Sequence, residues 1–203
     1  MPEAPDAVEI RIVACLVEKQ RTTPDVYPLS LNSLRIACNQ STNREPVVDY
    51  DEATVVEGLR RLALRGWTRL ASGPGGRARK YRHLLDEALG VDAAEISLLA
   101  VLMLRGAQTP GELKQRSERL HSFAGLAAVH EALDRMVERG LAVRHPRRPG
   151  QKEDRYEHLL GGGAGEAESP DAPPPADDRL GRLEAELAEL RKQVSALREA
   201  LGE

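Results

Sequence analysis

Apolar positions along this chain fall into two matching series. Val8, Ile12, Cys15 and Leu16 recur at helical spacing and predict a first helix over residues 7–19. Its counterpart begins at Asp92, where Asp92-Ala93-Ala94-Glu95 has the form of a capping box, and stops at Gly106. A second helix in the first series starts near Ser30 and runs through Leu31, Leu34, Ile36 and Ala37. In the second series Thr109-Pro110-Gly111-Glu112 sets Thr at the N-cap, proline in the first turn and Glu three residues on. Third helices are expected over residues 51–65 and about 124–139, closed by Gly66 and Gly140. Alternation then takes over. Trp67 to Leu70 and Lys80 to Leu84 flank a turn at Ser72–Gly76, and Leu141 to Arg144 and Arg155 to Leu159 flank another at Pro146–Gly150.

The two series are one pattern written twice. Glu57-Gly58-Leu59-Arg60-Arg61-Leu62, Arg65-Gly66 and Tyr81-Arg82-His83-Leu84-Leu85 return as Glu131-Ala132-Leu133-Asp134-Arg135-Met136, Arg139-Gly140 and Tyr156-Glu157-His158-Leu159-Leu160. The helical part is displaced by 74 residues and the ending by 75. A repeat of this length predicts two copies of one small domain. Three helices followed by a hairpin, twice, is a mainly α fold with small β-hairpin wings (α+β): tandem winged-helix domains over residues 1–88 and 89–160. A bare helical bundle is the alternative, and the paired hairpins argue against it.

After residue 160 the pattern changes. Residues 161–178 are rich in Gly, Ala, Pro and acids, a composition that buries no core and predicts a flexible linker. Over residues 179–203, Leu180, Leu183, Leu187, Leu190, Val194, Leu197 and Leu201 alternate spacings of three and four, an a/d seam that predicts a coiled-coil helix. In a parallel pair Glu186 would face Arg191 of the partner helix, a contact worth about 0.2–1 kcal/mol that biases orientation more than it holds a dimer. Self-association is the expected use of the seam. Docking on another protein, or on the chain's own body, is the alternative.

Charge refines the picture. The net charge is −3, but residues 1–90 carry 13 Lys+Arg against 12 Asp+Glu, residues 91–160 carry 11 against 10, and residues 161–203 carry 5 against 10. An acidic tail therefore masks a slightly basic body, and nucleic acid is not excluded. No apolar run approaches the roughly 20 residues a membrane span needs, so no membrane partner is expected. Two cysteines, Cys15 and Cys38, within apolar helical stretches point to a reducing, cytoplasmic setting.

Several stretches carry a resemblance. Glu18-Lys19, Thr22-Thr23-Pro24, Tyr27-Pro28-Leu29-Ser30-Leu31-Asn32, Ala37-Cys38-Asn39-Gln40 and Asn43-Arg44-Glu45-Pro46-Val47 are followed in the second copy by Leu104 through Leu113. With the Pro149-Gly150 turn and the Tyr156-x-His158-Leu159-Leu160 ending, these residues resemble the bacterial YceH-like proteins over about residues 9–160. The resemblance implies the tandem winged-helix fold, a linker and a C-terminal Leu heptad helix. It brings no activity and no catalytic or binding residues. Ser41 stands where Lys commonly follows the Cys-Asn-Gln triplet, which removes one phosphate contact.

Two surfaces are candidates for chemistry. The first-copy hairpin holds Arg69, Arg77, Arg79, Lys80 and Arg82 with no acid between Gly66 and Leu85, as a wing that tracks phosphates would. The second copy's Arg144, Arg147, Arg148, Lys152 and Arg155 are diluted by Glu153, Asp154 and Glu157. The other candidate is an insert confined to copy one, Asn39, Gln40, Asn43 and Arg44, whose amides and guanidinium are of the type that pairs with base edges. The same side chains also cap helices and bond loop backbone, so a structural role stands beside that one.

Other chemistries find little support. Asp49, Asp51, Glu52 and Glu57 near the start of the third helix repel phosphates, and Arg60, Arg61 and Arg65 sit too far toward its end to read bases in the usual way. Single-stranded nucleic acid needs aromatic platforms that a chain with one Phe, one Trp and four Tyr scarcely supplies. Trp67 and Tyr81 are expected to pack under the wing, and His83 and His158 recur in matching strand slots, which repeated architecture explains. No Cys/His pair has zinc spacing, no Gly-rich stretch ends as a phosphate loop, and no nucleophile has an adjacent base. The expectation is therefore a double-stranded DNA-binding regulatory or architectural protein, with no catalytic residue, cofactor or metal. A protein–protein interaction scaffold without DNA binding is the alternative.

Overall fold

Capping side chains set the helix starts. In the computed structural model, which describes residues 4–71, 79–147 and 152–161, α1 (Ala7–Thr22) opens on a capping box in which Asp6 accepts from the Glu9 N–H and Glu9 reaches back to Asp6. Ser30 caps α2 (Leu31–Cys38) and Asp51 caps α3 (Glu52–Leu64). In the second half Asp92 and Glu95 box the start of α5 (Ala93–Arg105), and Thr109 and Glu112 box α6 (Pro110–Ser117). The seventh helix, α7 (Leu126–Glu138), has no side-chain cap. Gly66 and Gly140, at φ of 75° and 68°, follow α3 and α7 in the left-handed region that only glycine enters without strain.

One small antiparallel sheet is completed after the third helix of each half. β2 (Thr68–Leu70) pairs with β3 (Lys80–His83), and β3 pairs on its other edge with the two-residue β1 (Leu29–Ser30). In the second half β4 (Ala142–His145) pairs with β5 (Arg155–His158). A single bridge there, in which Gln108 and Tyr156 exchange both backbone hydrogen bonds at 2.8 and 2.9 Å, occupies the place that β1 holds in the first half. Neither β1 nor the short connecting helix α4 (Leu85–Leu89) was expected from the pattern. Both are too brief to show a period.

α1 departs from the one-sided helix that its spacing suggested. Every residue from Glu9 to Val17 is buried, because α1 lies against α2 and α3 on one side and α5 of the second half on the other. α5 is likewise buried from Glu95 to Leu104. These two helices join the halves within one unit, Met1–Ala164, and an apolar stripe on one face cannot describe a helix enclosed all round. Ile12, Leu16, Leu98, Leu99 and Leu102 are wholly inaccessible there, each contributing about 1.5–3 kcal/mol relative to exposure.

Candidate nucleic-acid interface

Register and pleat decide where the cations of the first hairpin point. Arg69 lies directly opposite Arg82, Lys80 opposite Ser30, and Thr68 opposite His83. Side chains alternate along a strand, so Arg69, Lys80 and Arg82 share the outer face while Tyr81 and His83 turn toward the core. Trp67 and Tyr81 are half-buried against that core. Arg69, Arg79 and Lys80 are exposed and enter no ion pair among the described residues, and Arg82 reaches Glu87 at 3.3 Å. Like charges facing each other across two strands destabilise a sheet, and of Arg69 and the facing Arg82 only Arg82 has an acid beside it among the described residues. Arg77 lies outside the described residues.

The inner side of the hairpin is fastened to α1. His83 is buried, its Nε2 lies 2.6 Å from Gln20 Oε1, and its backbone N–H donates to the Tyr27 hydroxyl at 2.8 Å. Burial pulls the His83 imidazole down to about 4 and pushes the Tyr27 phenol up to about 12, so both are neutral at ordinary pH. His158, in the matching slot, is lowered for the same reason. His83 anchors its hairpin through these bonds, whereas His158 Nδ1 is buried without a hydrogen-bond partner among the described residues.

The insert of the first half is built inward. Arg44 is 4% exposed and its guanidinium donates to both oxygens of Glu18 at 2.6 and 3.1 Å, to the Ala37 carbonyl and to Gln40. Burial alone would raise the Glu18 carboxyl, but the Arg44 bond and charge outweigh it and hold it below the usual range. Asn39 brackets the Tyr50 backbone, donating to its carbonyl and accepting its N–H at 2.9 Å each. Gln40 accepts from Lys19 and Arg44, and Arg11, also buried, donates to the Pro46 carbonyl at 2.6 Å. Asn43 alone of the four is exposed, and its side chain accepts from Arg105 of the second half. Asn39, Gln40 and Arg44 therefore hold the first half together from within, because a guanidinium out of water must have its donors matched. The insert meets the second half through Asn43 and through the Glu45 N–H, which donates to the Leu104 carbonyl at 2.8 Å. No base-edge donor of Arg44 faces solvent.

One cluster escaped the sequence reading altogether, and it occurs twice. The buried carboxylate of Glu9 is gripped by Arg65 at 2.8 Å and Arg61 at 3.3 Å, while Arg61 also takes Asp6 at 2.5 Å. In the second half Glu95 is gripped by Arg139 at 3.1 Å and Arg135 at 3.3 Å, and Arg135 takes Asp92 at 2.9 Å. Each clamp ties the capping box of a half's first helix to the end of its third. Its signal was present in two boxes of Asp-x-x-Glu form and two arginine pairs four apart. Arg60 is paired with Glu57 at 2.7 Å, so all three arginines late in α3 are engaged. Besides Arg60, which is exposed but paired with Glu57, α3 leaves exposed acidic and apolar side chains: Glu52, Val56 and Leu64, the last at 76%.

The strands of the second hairpin have their charges paired with acids. Arg144 pairs with Asp154, His145 with Glu157 at 2.9 Å, and Arg155 with Glu112 at 3.3 Å. Among the described residues no cluster of metal-ligating side chains occurs and no helix is long and apolar enough to cross a membrane. The heptad positions Leu180, Leu183, Leu187, Leu190, Val194, Leu197 and Leu201 lie outside the described residues.

Comparison with known proteins places this arrangement among relatives. A family model described as "Protein of unknown function, DUF480" matches residues 6–151. A UPF0502 protein of Geotalea uraniireducens is 51% identical over 94% of this chain and 89% of its own length. One of Pseudomonas syringae pv. tomato is 42% identical over 95% and 91%. The UPF0502 protein YceH of Salmonella agona is 42% identical over 97% of each chain.

Proposed function

The chain belongs to the DUF480 family of UPF0502 proteins, and from that premise we propose that it binds double-stranded DNA through the outer face of its first hairpin, in a regulatory or architectural role. In this reading residues 1–88 and 89–160 are tandem winged-helix domains and the β2–β3 and β4–β5 hairpins are their wings. The observation that carries it is the asymmetry between the hairpins. Arg69, Arg79 and Lys80 are exposed and outside every ion pair among the described residues, whereas on the strands of the second hairpin Arg144 and Arg155 are paired with acids and only Arg147 and Lys152 near its turn are not.

Binding of this kind is to phosphates. The acids at the start of α3 and the engaged arginines at its end leave no reader for the major groove, so affinity is expected to be independent of sequence. Titration of fluorescent duplexes of unrelated sequence against the whole chain tests this. Similar affinities are expected, each weakened when Arg69, Arg79 and Lys80 are together replaced by Ala. Sequence-selective binding that survives the triple replacement would refute it.

An interaction scaffold is the second reading, favoured by the exposed Val56, Leu64 and Leu70 on α3 and β2. In either reading the 180–201 heptad serves self-association. No catalytic step, cofactor or metal enters.

A further inference from the structure

The second hairpin closes one side of a cleft that the DNA reading does not use. Pro110 at the start of α6, His130 on α7, and Arg144, Arg147, Lys152 and Tyr156 line a space of about 310 Å³. That size is at the lower end of cavities that hold small ligands. Two acids, Glu153 and Asp154, share the wall. Asp154 is already satisfied, accepting from Arg144 Nε at 2.7 Å and from the Arg147 backbone N–H at 2.9 Å. Arg147 and Lys152 enter no ion pair among the described residues, and only Glu153 stands against them, so the cleft keeps an excess of positive charge.

Two further features point the same way. Tyr156 lines the cleft, and its hydroxyl makes no hydrogen bond to another described residue, so it can donate to or accept from a ligand there. The amino end of α6, with its partial positive charge, opens there through Pro110. The duplication also shows that the fold does not require the polar groups. Tyr156 pairs with Arg144 as Tyr81 pairs with Leu70, and His130 sits where the first half has Val56. The first half thus keeps two exposed apolar side chains where the second half has a histidine and an arginine.

We propose that this cleft binds a small phosphate ester, its oxygens taken by Arg147 and Lys152 with His130 and the Tyr156 hydroxyl as hydrogen-bonding partners. Calorimetric titration of the full chain at low salt with inorganic phosphate and glycerol 3-phosphate tests it, with glycerol as the uncharged control. Saturable one-to-one binding of both phosphates is expected, and none of glycerol. Arg147→Ala with Lys152→Ala should weaken binding by about ten-fold or more, since charge-assisted contacts to phosphate are the strong ones. Tyr156→Phe, which keeps the ring in the core, should weaken it by a smaller factor. Duplex DNA added as competitor separates the sources: displacement assigns the phosphate to a DNA backbone, and its absence assigns it to a free ester. Absent saturation overturns the proposal, as does binding that both variants leave unchanged or that is lost on replacing Arg69, Arg79 and Lys80. Any of these results leaves the role of the first hairpin to its own test.

Discussion

Arg44 is the residue at which a structural and a functional reading part most sharply. Replacing it with Gln removes the guanidinium that both Glu18 oxygens and the Ala37 carbonyl share. Glu18 is then left with Lys19 at 3.5 Å as its one cation among the described residues. Breaking a buried pair from one side costs about 3–5 kcal/mol, and the nearby Lys19 places the expected loss at the lower end. Urea unfolding followed through the single tryptophan, Trp67, at the foot of the first hairpin reads this directly. Glu18→Gln combined with Arg44→Gln should recover part of the loss, because no unmatched charge remains inside. Under conditions where the variant is folded, its affinity for duplex DNA should equal that of the unmodified protein. A variant of unchanged stability whose DNA affinity falls would refute this account and restore the insert as a reading surface.

Other consequences follow from particular contacts. A methyl group on Gly58 would lie 2.5 Å from Ile12 Cδ1 and 3.1 Å from Val8 Cγ1, so Gly58→Ala should overpack the α1–α3 contact by about 1–3 kcal/mol, more than the ~1 kcal/mol gained in helix propensity. The second half has Ala132 at the matching position, and a more stable Gly58→Ala protein would show that α3 yields freely. His83 is held neutral with its folded value near 4, below the ordinary 6.5, so the unfolded chain takes up its proton first as pH falls. Its contribution is therefore complete above about pH 6.5 and lost toward pH 4, about 3 kcal/mol in all, and His158 adds in the same direction. Denaturant midpoints measured across that window should fall with pH, and His83→Asn should flatten the slope; a slope untouched by the substitution would place the titration elsewhere. Removing residues 179–203 should halve the mass seen by light scattering, and an unmodified chain already monomeric at micromolar concentration would contradict a self-associating heptad.

Much of the fold lay open in the sequence wherever a local rule sufficed. The boxes at Asp92 and Thr109, the stops at Gly66 and Gly140 and the paired hairpins follow from neighbours a few residues apart, and the repeat doubled each signal. What stayed hidden depends on distance along the chain. The burial of α1 on all sides comes from α5, and the partner of Arg44 lies 26 residues earlier with nothing local to announce it. Of the candidate site, the alternation of Lys80 and Arg82 outward was readable from the pleat, but the facing of Arg69 and Arg82 required the register. The insert read as a polar patch since an amide or guanidinium looks alike in sequence whether it faces water or a buried carbonyl. The clamps on Glu9 and Glu95 were written twice, yet only the packing of third helix on first revealed them as one device.

The salt dependence of DNA binding tests the central claim most directly. If Arg69, Arg79 and Lys80 each neutralise a phosphate, the slope of log affinity against log salt is about −2.7, a loss of about 40-fold between roughly 50 and 200 mM salt. The account expects that slope for the unmodified protein and a slope near zero when all three are replaced by Ala. No detectable binding at low salt, or equal slopes for the two proteins, would contradict it.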